Sequence, residues 1–210
     1  MRDFDYTYLF LPVLSAWLGN KKLFEVQANK EKQLEQERAN WKKKLTPGIN
    51  ETSFCKMADD LYNFEVQRLN ILARKGTSIL AAAGFVIALM SVTLTLKKDW
   101  ITNNNIFSLI SLCFIILAVS YFVTSAISAS EALRVSQFHQ ITIADSQQII
   151  DKKMALQDYN NEWAVEKILD VDVNYNILLI KTNWLDAAQG SFLRGIALTV
   201  ICFISLVLAL

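Results

Sequence analysis

Two uncharged apolar runs dominate the hydrophobic pattern of the chain, at residues 77–96 and 106–128. They hold 20 and 23 residues, and each can cross a hydrocarbon core of about 30 Å as a helix. Only KKDWITNNN separates them, which predicts a membrane hairpin. A third run, at residues 191–210, adds another crossing with Arg194 near its start. A shorter apolar stretch, residues 6–18, is interrupted by Pro12 and would reach about 20 Å as a helix. Its aromatic residues Phe4, Tyr6, Tyr8, Phe10 and Trp17 suit a headgroup region. We expect an interfacial or docked segment there, because Asp3 and Asp5 stand where a signal peptide needs positive charge.

The stretches between these runs are polar and carry helical patterns of their own. Residues 20–45 are rich in helix formers, with charges such as Lys30, Glu31, Glu35 and Arg38 spaced for a solvated helix that Thr46, Pro47 and Gly48 end. From Glu51 onward Phe54, Met57, Leu61, Phe64, Leu69 and Leu72 mark an apolar stripe that needs a partner. Only Gly76 stands between that helix and the first run. Thr142 and Asp145 offer caps for a later helix. The sharpest pattern follows: Ala164, Ile168, Val171, Tyr175, Leu178, Thr182 and Leu185 alternate steps of four and three. Such a 3.5-residue repeat predicts a seam packed on another helix. The partner would be the stripe of residues 54–72 or a copy from another chain.

The fold class predicted is an all-α integral membrane protein with three transmembrane helices, or four if residues 6–18 also cross, and a cytoplasmic helical bundle. Its divisions are 1–50, an interfacial segment and charged helix; 51–76, a helix leading into the membrane; 77–128, the hairpin; 129–189, a cytoplasmic helical segment; and 190–210, the last span. Lys and Arg number 13 up to residue 75, two between the first spans and five in 129–189. By the positive-inside rule this puts the N-terminal region and residues 129–189 in the cytoplasm of a bacterial inner membrane.

Composition changes this picture little. The chain is 53% hydrophobic and 20% charged, so apolar and highly polar blocks coexist. A net charge of +1 gives no footing for nucleic acid. Cys55, Cys113 and Cys202 lie far apart and form neither a disulfide framework nor a zinc spacing. His139 is the only histidine, the glycines form no phosphate loop, and no nucleophile–base pattern accompanies either, so neither an enzyme, a metal centre nor a cofactor is expected.

Several residues inside or beside the spans remain as candidates. Ser120, Thr124 and Ser128, preceded by Ser108 and Ser111, form a hydroxyl stripe that lines a pore or, more in keeping with such residues, bonds within and between helices. Gly84 and Ala88 form a small-xxx-small pair for close helix approach. Arg194 is close enough to the membrane edge to snorkel. Glu162, Glu166, Asp170 and Asp172 read as a solvated face or a partner-binding strip.

Residues 75–84, Lys-Gly-Thr-Ser-Ile-Leu-Ala-Ala-Ala-Gly, together with Asn174-Tyr175-Asn176, Lys181, Trp184-Leu185 and Ala187-Ala188, carry a resemblance. Over residues 63–210 the order of parts resembles a bacterial family of small anti-phage membrane effectors, the transmembrane effectors of Pycsar-type cyclic-nucleotide defence systems. The resemblance implies a quiescent inner-membrane protein that oligomerises on a trigger and perturbs the bilayer. Its partners would be lipid, further copies, and a soluble protein or nucleotide second messenger. The alternative expectation is a membrane scaffold or accessory subunit that recruits a soluble partner through its cytoplasmic helices.

Overall fold

Proline has no amide hydrogen, and at the first position of a helix that hydrogen would have no partner. The first helix, α1, begins there, at Pro12, and runs to Lys44. The computed structural model describes residues 12–44, 51–96, 106–135 and 156–208. Every described residue except Val135 is helical. After α1 come α2, Glu51–Leu96, α3, Ile106–Arg134, and α4, Leu156–Leu208. Three of them, α2, α3 and α4, are long and apolar enough to cross a membrane. At 1.5 Å per residue, the 46 residues of α2 and the 53 of α4 measure about 70 and 80 Å, more than twice a hydrocarbon core.

Pro12 stands at the first position of this helix, and the apolar residues 13–18 and the charged segment after them are a single element. The expectation of one unbroken helix from Glu51 into the first span holds, and so does that of a heptad-bearing helix leading into the last. The second span continues only to Arg134. His139, Thr142, Asp145, the turn of residues 97–105 and the aromatic residues before Pro12 lie outside the described residues.

The chain divides into two compact units. The polar unit comprises residues 20–72 and 135–180, so the charged part of α1 belongs to it, an addition to the predicted bundle. Its core is Phe54 and Ala58 of α2 with Ala164, Val165 and Leu169 of α4, onto which Leu34, Trp41, Cys55 and Ile168 pack. Ion pairs fix the register around this core. Lys30 Nζ lies 2.7 Å from Asp172 Oδ1. Arg38 donates to both oxygens of Glu166, at 2.6 and 2.9 Å, the forked geometry in which guanidinium–carboxylate pairs are strongest. Lys167 bonds Asp59 and lies over the Trp163 ring at 5.4 Å. These contacts make α1 antiparallel and α2 parallel to α4.

The apolar unit comprises residues 1–19, 73–134 and 181–210. Small residues bring its helices together: Ala83, Ala118, Ala129, Ala132, Ala187, Ala188, Ser125, Ser128 and Ser191 are buried. Lipid tails are as apolar as leucine, so packing and interhelical hydrogen bonds hold such a unit together. Ser125 Oγ donates across to the Ala188 carbonyl at 2.8 Å, and Phe122 meets Phe192 edge to face at 5.5 Å. The closest approach is at Gly195, where an added Cβ would lie 2.8 to 3.0 Å from three atoms of the Phe122 ring. Phe122 is fully buried and cannot swing aside cheaply. Gly195→Ala should therefore destabilise the protein by about 1–3 kcal/mol through overpacking, read as a lowered thermal midpoint in detergent, whereas Gly84→Ala, which meets nothing within 4 Å of its own chain and gains helix propensity, should show no such overpacking loss.

Candidate functional site

The predicted α4 seam divides on folding. Leu178 and Leu185 are buried and Ile168 packs on the core of the polar unit, but Val171 is half-buried and Tyr175 is 49% exposed. Ala164 of the seam is buried as well, and so are Val165, Leu169, Val173, Ile177, Ile180, Trp184 and Ala188, which lie off it. More than one face of α4 is covered within the chain, and Tyr175 stands outside the covered faces.

The acidic residues of α4 are not a free strip. Glu166 and Asp172 are taken by Arg38 and Lys30 of α1, which also means that those α1 charges serve contacts between helices in addition to meeting solvent. Sequence spacing within each helix could not reveal pairs more than a hundred residues apart. Beyond the level of the Lys30–Asp172 pair, on the side away from Arg38–Glu166, the polar unit buries Gln27, Glu65, Asn174 and Asn176. Asn20 bonding Ile180 and Lys30 bonding Asp172 bring Gln27 level with residues 174–176. Asp59 bonding Lys167 brings Glu65 level with Val173 and its neighbours. Glu65 accepts from Arg68 at 3.0 Å. The bundle thus has a polar layer beyond its apolar core.

In the apolar unit the hydroxyl stripe bonds to its own helix. Ser120 donates to Ile116, Thr124 to Ser120 and Ser128 to Thr124, at 2.8, 2.6 and 3.0 Å. Serine and threonine inside a helix commonly bond back in this way, which satisfies each hydroxyl hydrogen within α3. Gly84 and Ala88 are exposed, and a Cβ added at Gly84 would meet nothing within 4 Å; close approach falls to Gly76, against Leu133 and Leu185, and to Gly195. Arg194 folds back along α4, one guanidinium nitrogen 2.9 Å from where a Gly190 Cβ would stand. That path toward the start of the run is the direction of snorkelling.

Two features escaped the sequence pattern. One is an apolar groove of about 490 Å³ lined by Pro12, Leu14 and Trp17 of α1, Leu117 and Tyr121 of α3, and Trp184 of α4. Its lining suits an apolar chain such as surrounds the unit in a bilayer, and the Ser120 and Thr124 hydroxyls at its wall are already used. The other is Lys181, buried, whose ammonium donates to the Ala132 carbonyl at 3.0 Å. The last four carbonyls of a helix have no partner within it, and a cation there also meets the negative end of the helix dipole. Lys181 is the cap of α3. Among the described residues no three His, Cys, Asp or Glu side chains gather as a metal site.

No protein family, curated protein or solved structure matches the chain.

The Lys181 cap is testable locally. Lys181→Met keeps the stem and removes the donor, so amide exchange in the last turn of α3 should rise while that of residues 54–65 in α2 stays as in the parent, read by hydrogen–deuterium exchange.

Proposed function

We propose that this chain is an oligomeric membrane effector that perturbs or permeabilises the bacterial inner membrane in anti-phage defence. The observation that carries the reading is the continuity of α2 and α4, each an unbroken helix from the polar unit into an apolar span. A helix has no loop to absorb a displacement, so a soluble protein or nucleotide second messenger acting on the polar unit would move the spans themselves. The hydroxyls of α3 donate to their own helix, and perturbation on this reading takes several copies. On this reading the polar unit faces the cytoplasm, the side that the excess of Lys and Arg up to residue 75 favours. The defence role rests on the resemblance of residues 63–210 to Pycsar-type effectors.

A second reading, a scaffold that recruits a soluble partner, is favoured by Phe24 and Val26, both exposed on the charged part of α1. Expression of the full chain in bacteria loaded with a potential-sensitive dye separates the two. Depolarisation is expected of the effector. An undisturbed potential, with a soluble protein retained on the detergent-solubilised chain and lost in Phe24→Ser/Val26→Ser, would replace it with the scaffold.

A further inference from the structure

Within the polar unit α2 buries Phe54, Ala58 and Glu65 and leaves Met57, Leu61, Phe64 and Ile71 between 42 and 57% exposed. These four are not scattered. Their spacing is four, three and seven, and Arg68 fills the missing step, so they form one stripe with a 3.5-residue repeat. Continued along the same helix through Lys75, Ser78 and Ala82, the repeat arrives at Phe85, Leu89 and Val92, which are 51 to 66% exposed. Eleven successive heptad positions, from Met57 to Val92, thus keep one register on an unbroken helix, on positions that no other helix of the chain buries.

We infer that this stripe of α2 is the seam on which a second copy of the chain docks, α2 against α2 in parallel. The inference deepens the oligomeric part of the proposed function and rests on it. A 3.5-residue repeat is the period that keeps two helices in contact as a left-handed pair. Copies inserted in one direction present α2 in parallel, and a two-fold interface sets each stripe residue against its own counterpart. The extent of the stripe selects the occupant. A soluble partner could cover Met57 to Ile71 but not Phe85 to Val92, which lie in an apolar span, and lipid could cover only the latter. A second α2 covers both.

Local shape agrees. Beside Met57 and Leu61 the surface carries a shallow hollow of about 390 Å³, rimmed by Ser53, Lys56 and Asp60, which can seat a knob from a facing helix. In the span the stripe is flanked by Ala81, Gly84 and Ala88, where a Gly84 Cβ would meet nothing within 4 Å, so two backbones can come close. Two charges fall in the stripe: Arg68 lies over the Phe64 ring at 5.9 Å and bonds Glu65 of its own helix, and Lys75, exposed, interacts electrostatically with Asp186 of α4. The seven apolar side chains expose on the order of 700 Å², near the roughly 800 Å² per partner of a stable complex.

Disulfide scanning in native membranes tests the seam. In a full-length background of Cys55→Ser, Cys113→Ser and Cys202→Ala, single variants Leu61→Cys, Phe64→Cys, Ile71→Cys and Phe85→Cys should each cross-link under oxidant to twice the 23.8 kDa of one chain. Asn63→Cys and Asn70→Cys, exposed on α2 but off the stripe, should cross-link several-fold less. Equal yields at all positions, no cross-link on the stripe, or adducts of another mass would overturn the seam. Leu61→Asp/Phe64→Asp, both at exposed positions, should lower the oligomer mass on native electrophoresis without lost helicity; an unchanged mass would overturn it too. The potential-sensitive dye keeps the two proposals apart. Phased cross-links without depolarisation retain the seam and remove the effector, and depolarisation without phased cross-links does the reverse.

Discussion

A backbone in hydrocarbon has no water to bond, so it must satisfy every amide and carbonyl within its own helix. This chain meets that demand with helices that do not stop where the apolar sequence stops. Nothing in α2 between Glu51 and Leu96, or in α4 between Leu156 and Leu208, breaks the ladder of backbone bonds. The two units are consequently built on shared helices, and they hold together by different forces. In the polar unit, burial of Phe54, Val165 and Leu169 removes apolar surface from water. In the apolar unit that driving force is absent, and contact between helices depends on small side chains, on the Ser125 bond to Ala188 and on the fit of Phe122 over Gly195.

Much of this was legible in the sequence, because composition and helical propensity act locally. The three spans and the run of α2 into the first of them followed from apolar length and from the lack of any breaker stronger than Gly76. The reading failed where distant partners decide. Pro12 looked like an interruption because proline is disruptive inside a helix and harmless at its first position. Tyr175 shares a heptad with Leu178, yet it is exposed while Val173, Asn174, Asn176 and Ile177 around it are buried. The acidic residues of α4 gave no sign of their partners, Lys30 and Arg38, since those pairs form across more than a hundred residues.

Among the candidate residues, side-chain geometry sorted the chemistry that sequence left open. Hydroxyls at positions 120, 124 and 128 have one face in common, and the structure shows where their hydrogens go, to the carbonyls of Ile116, Ser120 and Thr124. Gly84 and Gly195 are the same residue in similar apolar surroundings, yet one stands open and the other is filled by a phenyl ring. Lys181 resembled an ordinary helical lysine until the end of α3 was placed beside it.

The polar layer of Gln27, Glu65, Asn174 and Asn176 has a mechanical consequence. Glu65 lies level with Val173 and about one turn from Leu169 of the apolar core, so sliding α2 by a single turn, about 5.4 Å, would carry its carboxylate away from Asn174 and Asn176 and in among methyl groups, where a polar group left bare costs about 1–3 kcal/mol. Displacement along the bundle axis is therefore resisted by the polar layer, and in α2 and α4 that resistance bears on a helix that continues into an apolar span.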